Sequence, residues 1–351
     1  MANGKIKAAV LHGIRDIRIE DVPMPRVKSD NDVLVKMAAV GVCGSDVHYY
    51  THGRIGKFVV KEPLILGHEC AGTIVEVGKG VRHLCPGDRV ALEPGVPCGR
   101  CRWCRAGRYN LCPDVVFLGT PPIHGAFVEY HVHAAEFTYK LPDSMPLEEG
   151  AMLEPLAVGM HAAARGNVQA GDSIAILGSG PIGLMTLQAA KARGASLAIA
   201  VDLQENRLKL AKKLGATHTI NAKREDVIQR IQEITEGDGV DMAFETAGSD
   251  VTVTLTVDVV RRGGTVVLVG LGGKDIVPLN AIKMVIDEIR IVPSHRYANV
   301  YERAIPLVAD GRIDVKSLIT GRRALAAIEE AINLSAKEPE STIKTIVKIP
   351  E

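Results

Sequence analysis

A thiol, an imidazole and a carboxylate stand close together in the chain: Cys43 within Gly41-Val42-Cys43-Gly44-Ser45-Asp46, and His68-Glu69 at the end of Pro63-Leu64-Ile65-Leu66-Gly67-His68-Glu69. Catalytic zinc takes three protein ligands of Cys, His or Asp/Glu type and keeps a fourth position for water or substrate. Cys43, His68 and Glu69 meet that requirement. Further along, Cys98, Cys101, Cys104 and Cys112 lie in a loop rich in Gly, Pro and Arg. Four closely spaced thiolates fill every position of a tetrahedron, so a second zinc held there is structural. Arg100, Arg102 and Arg105 are expected to offset the charge of those thiolates.

Gly178-Ser179-Gly180-Pro181-Ile182-Gly183 has the G-x-G-x-x-G spacing, after a strand-like run and at the start of a helical one. Gly178 permits a tight turn, Gly180 lets backbone approach a pyrophosphate, and Gly183 allows close packing of helix on strand. The helix N-terminus then receives the anion. Asp202, nineteen residues after Gly183, can accept the ribose hydroxyls and repel a 2′-phosphate, which favours NAD over NADP. Glu154 is an acid in an otherwise apolar run, with Pro155 fixing a helix start near a domain boundary. It could bind zinc directly or hold the zinc water.

Short alternating runs separated by Gly and Pro predict strands at Met1 to Val10 (clearest over Lys5 to Leu11), Ile17 to Glu20, Asp32 to Ala39, Ala71 to Val77, Asp88 to Leu92, Ala126 to His133 and Phe137 to Leu141. A helix over Glu148 to Arg165 then opens a regular alternation. Strands are expected at Ser173 to Leu177, Leu197 to Val201, Val240 to Glu245 and Gly264 to Gly270. Helices are expected at Pro181 to Arg193, Gln204 to Leu214, Arg224 to Thr235 and Asp250 to Arg262. Such alternation builds a parallel sheet covered on both faces. Helices near Tyr301 to Ala309 and Ala324 to Leu334 and a strand at Ile343 to Ile349 are too little for a third domain, so the tail is expected to return to the first. The expected division is 1–155, 156–295 and a returning segment 296–351.

Composition narrows the function classes. The chain has 351 residues, 46% hydrophobic and 24% charged, with a formal net charge of +1, so no global field draws nucleic acid or an acidic membrane. The N-terminus lacks the apolar run of a secretory signal and no stretch approaches a membrane span. All seven cysteines fall in the first third, which in a cytoplasmic protein reads as metal binding rather than disulfides. Partners are expected to be small molecules.

Together these motifs resemble the zinc-containing medium-chain dehydrogenases. The stretches Gly41 to Tyr50, His52-Gly53-Arg54-Ile55-Gly56 and Glu93-Pro94-Gly95-Val96 are similar to the polyol branch, the sorbitol and xylitol dehydrogenases. The resemblance implies an α/β protein: a GroES-like, β-rich catalytic domain interrupted by a Rossmann domain with a doubly wound parallel sheet, the active site in the cleft between them. It implies Cys43, His68 and Glu69 as the catalytic zinc set, with Glu154 binding or positioning the water or substrate oxygen. It places Tyr49, Phe117, Arg296 and Tyr297 around the polyol, and Ile182, Arg207, Val269, Gly270, Leu271, Ser294, His295 and Arg296 along the cofactor. Ser45 and His48 are expected to relay the hydroxyl proton. Unlike the animal sorbitol dehydrogenases, this chain keeps the whole cysteine quartet, as the microbial-type relatives do. The implied activity is oxidation of a secondary hydroxyl of a sugar alcohol to the ketose with NAD+, using two zinc ions per chain in a homotetramer. Threonine or 2,3-butanediol oxidation is the alternative within the superfamily, and an inactive NAD-binding scaffold the alternative outside it.

Overall fold

The structure, a computed structural model, describes residues 4–350 apart from Gly273, Asp275 and Pro339; the first three residues of the strand-like start lie outside it. The chain forms two units. One comprises Met1–Glu154, Tyr301–Ala309 and Val315–Glu351, the other Pro155–Val300 and Asp310–Asp314. Among the described residues no helix is long and apolar enough to cross a membrane.

The first unit is built on a seven-stranded sheet whose hub is Asp32–Gly41. This strand pairs antiparallel with Glu69–Val77, Tyr130–Ala134 and Lys344–Lys348. Val33, Val35, Met37 and Val40 are buried, as β-branched and long apolar residues are when both faces of a strand are covered. The register sets Gly41 opposite Glu69 on one side and Ile346 on the other. Topology therefore delivers the C-terminal strand to the carboxylate of Glu69. A smaller sheet of Asp16–Pro23, Lys5–Gly13 and Leu64–Ile65 closes the barrel-like core.

The second unit holds six parallel strands in the order His218–Asn221, Leu197–Asp202, Ser173–Leu177, Val240–Glu245, Val260–Leu268, Arg290–Pro293. The two end strands were not expected. They are four residues each and carry His, Thr, Asn, Arg and Pro, the polar, short character of sheet edges.

Several expected elements are corrected. The Asp250 helix stops at Val259, and Val260–Leu268 is strand, because Val260 pairs with Val240 rather than continuing the helix. Of the strand expected over Ala126 to His133, only Tyr130–Ala134 forms. The amides of Gly125, Ala126 and Phe127 instead donate to the carbonyls of Ile65, Gly67 and Leu66, bracing the turn before His68. The helix over Glu148 to Arg165 is broken at Met152 into Leu147–Ala151 and Leu153–Gly166. Residues 324–327 are a strand end and a 3-10 turn, and the last helix is Ile328–Lys337. Helices at Gly44–His52 and Ala281–Ile286 were not foreseen.

Candidate metal centre and dinucleotide site

Cys43 lies just before the Gly44–His52 helix, and His68-Glu69 lies at the start of the Glu69–Val77 strand. One ligand atom from each of Cys43, His68 and Glu69 falls within 4.8 Å of the others. Asp46, in the first turn of that helix and wholly buried, ties the two segments together. Its Oδ2 accepts the Cys43 amide at 2.9 Å and its Oδ1 the Gly67 amide at 3.1 Å. The same Oδ1 lies 3.8 Å from His68 Nδ1, an electrostatic contact without a hydrogen bond. Sequence reasoning missed Asp46, although an acid three residues into a helix is a recognisable cap.

Lys344 was missed as well. Its Nζ lies 2.6 and 2.7 Å from the two Glu69 carboxylate oxygens and 3.0 Å from the Val42 carbonyl oxygen, with both side chains buried. Gly41 makes room for this pair, since a Cβ there would strike Glu69 Oε2.

The electrostatics of the pocket favour a cation. Burial alone would lower the His68 pKa, yet the Cys43 sulfur, Asp46 and Glu154 outweigh it and raise the imidazole to about 10. Lys344 is likewise raised: burial opposes it, and Glu69, Cys43 and Glu154 prevail. Glu154, 5% exposed, thus adds charge to the same cluster. A thiolate, an imidazole and carboxylates in a negative, buried setting are the donor set zinc prefers, so the residues fit the ion. The Phe117 ring lies 5.6 Å from the His68 ring, against Gly95, where a Cβ would come within 3.2 Å of it. Tyr49 is buried in the Gly44–His52 helix, while Ser45 is half-buried and His48 exposed.

The four cysteine sulfurs also lie within 4.8 Å of one another. Backbone amides of Arg100 and Cys101 hold the Cys98 thiol down at about 7, which favours the thiolate that metals bind. The Arg102 guanidinium lies over the Trp103 ring at 4.6 Å and that of Arg108 at 5.3 Å.

Glu93, 1% exposed, secures this lobe. Its carboxylate accepts the hydroxyls of Tyr109, from the lobe, at 2.7 Å and of Tyr139 at 3.0 Å. Burial raises it to about 7 against the pull of both tyrosines. With the native pKa above the unfolded one (about 4.3), the native state holds the extra proton between these values. Its contribution to stability is full below the unfolded pKa and declines as pH rises through about 7, by at most roughly 1.4 kcal/mol per pH unit. Urea unfolding at pH 5 and pH 7 is expected to show this loss in the native protein and a flatter profile in Glu93→Gln; parallel profiles contradict it.

In the second unit the glycine turn is shaped for a dinucleotide. Gly178 has φ +104, and a Cβ at Gly183 would strike the Gly178 carbonyl. At Gly180 a Cβ would meet only Arg207 Nη1, at 3.7 Å, so the backbone is open to a ligand. Pro181 starts a helix running to Ala192. Asp202 Oδ2 accepts the Ser179 amide at 2.8 Å and Oδ1 the Gln204 amide at 2.8 Å, so it braces the turn as well as lining it. Arg207 Nη1 lies 3.7 Å from Asp202. Arg207 Nε, Glu245 Oε2 and Ser294 Oγ are among the buried polar atoms of this unit with no partner among the described residues; such orphans fit a site that a polar ligand completes. Val269 and Gly270 donate to the Glu245 carbonyl, and Ser294 to that of Leu268. Ile182 is half-buried, Leu271 and His295 are exposed, Arg296 has φ +50 and Tyr297 is buried.

Comparison with known proteins gives the family of both units. The family model for zinc-binding dehydrogenases matches residues 181–310, and that for the alcohol dehydrogenase GroES-like domain matches residues 29–143. A sorbitol dehydrogenase of Bacillus subtilis is 49% identical over 342 residues, 97% of either chain. A solved Escherichia coli oxidoreductase of unknown specificity superposes with TM-score 0.95 at 45% identity, over 99% of this chain and 100% of that one. A proposed zinc-binding dehydrogenase of Sinorhizobium meliloti, bound to NADP, gives 0.91 at 33%, over 99% and 100%.

Proposed function

Because this chain belongs to the zinc-containing medium-chain dehydrogenases, in their polyol branch, we propose that it oxidises a secondary hydroxyl of a sorbitol- or xylitol-type sugar alcohol to the ketose, with NAD+ as acceptor. The observation that carries this reading is the Cys43, His68 and Glu69 cluster, held on one side by Asp46 and on the other by Lys344. Zinc bound by these residues supplies Lewis acidity toward the reacting hydroxyl, and the dinucleotide supplies the hydride acceptor.

The chain's own groups do the rest. Asp46 ties the backbone at Cys43 to that at Gly67, beside His68. Glu69 has both oxygens on Lys344, which favours Glu154 as the carboxylate that accepts from a substrate hydroxyl. Phe117 gives an apolar wall beside His68. Tyr49, and in the second unit Arg296 and Tyr297, are assigned to the remaining hydroxyls; several such anchors are what separates a polyol from a simple alcohol. Ser45 and the exposed His48, three residues apart on one helix, are assigned to passing the proton to solvent. A second zinc is assigned to Cys98, Cys101, Cys104 and Cys112, whose reduced thiols suit a cytoplasmic location.

NAD reduction over sorbitol, xylitol, galactitol, threonine and 2,3-butanediol, with and without chelator, tests the reading. Chelator-sensitive turnover of the polyols supports it; preference for threonine or butanediol, or no turnover, contradicts it. The nucleotide is tested separately. Asp202→Ser is expected to shift the NAD/NADP ratio of kcat/KM by about a hundredfold toward NADP, through lost ribose contacts and lost repulsion; an unmoved ratio rules out Asp202 as the discriminator.

Self-association into a tetramer is part of the proposal. The Arg290–Pro293 strand ends its sheet, and Ile282, Val285 and Ile286 of the preceding helix are exposed by 68–79%, a patch of the kind interfaces cover. Light scattering is expected to give four times the 37.6 kDa chain mass; a monomer contradicts it.

A further inference from the structure

We propose that Glu245 is a positioning residue for the nicotinamide half of the dinucleotide, an inference that rests on the dinucleotide reading above. Glu245 ends the Val240–Glu245 strand and is wholly buried. Its Oε1 accepts three donors: the Ala247 amide at 3.0 Å, the Gly248 amide at 2.9 Å and the Thr252 hydroxyl at 2.7 Å. Its main-chain carbonyl accepts the amides of Val269 and Gly270 at 2.9 and 3.0 Å. One residue thus joins the 246–248 turn to the 269–271 segment. Its Oε2 is buried and has no partner among the described residues. It lies against Gly270, where a Cβ would come within 2.5 Å of it.

Glycines let three segments stack here with backbone against backbone. A Cβ on Gly178 would come within 2.7 Å of Ala247, one on Gly248 within 2.6 Å of the Leu271 carbonyl, and one on Gly270 would strike the Gly248 amide. Thr246 Oγ1 donates to the Gly178 carbonyl at 2.6 Å. The Glu245 carboxyl group is the side chain whose hydrogen bonds the structure gathers at this junction. An acid buried with one oxygen unsatisfied is costly, and such a group in a native fold calls for a functional explanation.

Strand order says which half of the ligand that is. Dinucleotides lie across the crevice where the order of a doubly wound sheet reverses. Here the central strand is Ser173–Leu177, with Asp202 ending its neighbour on one side and Glu245 ending its neighbour on the other. With the pyrophosphate at the glycine turn and the adenosine ribose at Asp202, the nicotinamide half falls on the Glu245 side. The turn and segment that Glu245 pins are then the backbone lining that half.

Calorimetric titration of the zinc-loaded protein with NADH and with AMP separates the two halves. Glu245→Ala is expected to weaken NADH binding about tenfold, the worth of a lost buried hydrogen-bond set, and leave AMP within about twofold. Glu245→Gln, which keeps a carbonyl oxygen for the three donors, is expected to stay within about threefold for NADH. Should the Ala variant not fold, Thr252→Val, which removes one donor, is expected to show the same split at about threefold. Equal weakening of both ligands, no change in either, or a Gln variant as weak as Ala overturns the proposal. Native protein that binds neither ligand overturns the dinucleotide reading itself, and the proposal with it.

Discussion

Cys43→Ala is expected to lower polyol oxidation by about a thousandfold or more, since Lewis-acid stabilisation is worth several kcal/mol of barrier. NADH affinity should be unchanged, because the glycine turn, Asp202 and Arg207 all belong to the second unit. The split distinguishes loss of a metal ligand from loss of fold. The Asp46 brace holds Cys43 through its backbone amide, which Ala keeps. Turnover preserved in the Ala variant would remove Cys43 from the centre.

Lys344→Met is expected to destabilise metal-free protein by about 3–5 kcal/mol, the usual cost of stripping one partner from a buried ion pair. Glu69 is fully buried and has both oxygens on that ammonium, so the substitution strands a carboxylate without solvent. Two comparisons sharpen the result. Adding Glu69→Gln to Lys344→Met should recover much of the loss, because no unpaired charge is left. Zinc loading should also shrink it, because a cation beside Glu69 replaces the lost one. Urea unfolding of the native protein, Lys344→Met and the double variant, with and without zinc, measures both; Lys344→Met as stable as the native protein would show the pair to be incidental.

How much of this could be read from sequence follows from the range of each interaction. The cysteine quartet and the glycine fingerprint are local patterns whose spacing carries their geometry, and the structure gathers each as the spacing implied. The alternation of the second unit was equally legible, since central parallel strands are continuous apolar runs. Lys344 was not legible: it is 275 residues from Glu69, and a Lys in a strand ordinarily reads as facing solvent. Asp46 was hidden by ambiguity, because an acid in the first turn of a helix is welcome whether or not it also ties in a second segment. The break at Met152 and the strand at Val260 were set by packing and sheet pairing, which override local preference. Glu93 lay in a recognised motif, yet its tie to Tyr109 and Tyr139 depends on the cysteine lobe and the Thr138–Lys140 strand both folding back onto it.

The central claim is that Cys43, His68 and Glu69 form a metal centre separate from the thiolate lobe. Elemental analysis of purified, active protein addresses it most directly. Two zinc ions per native chain, falling to one in Cys43→Ala with the quartet still filled, is the predicted result. One zinc per active native chain, retained in Cys43→Ala, would contradict it.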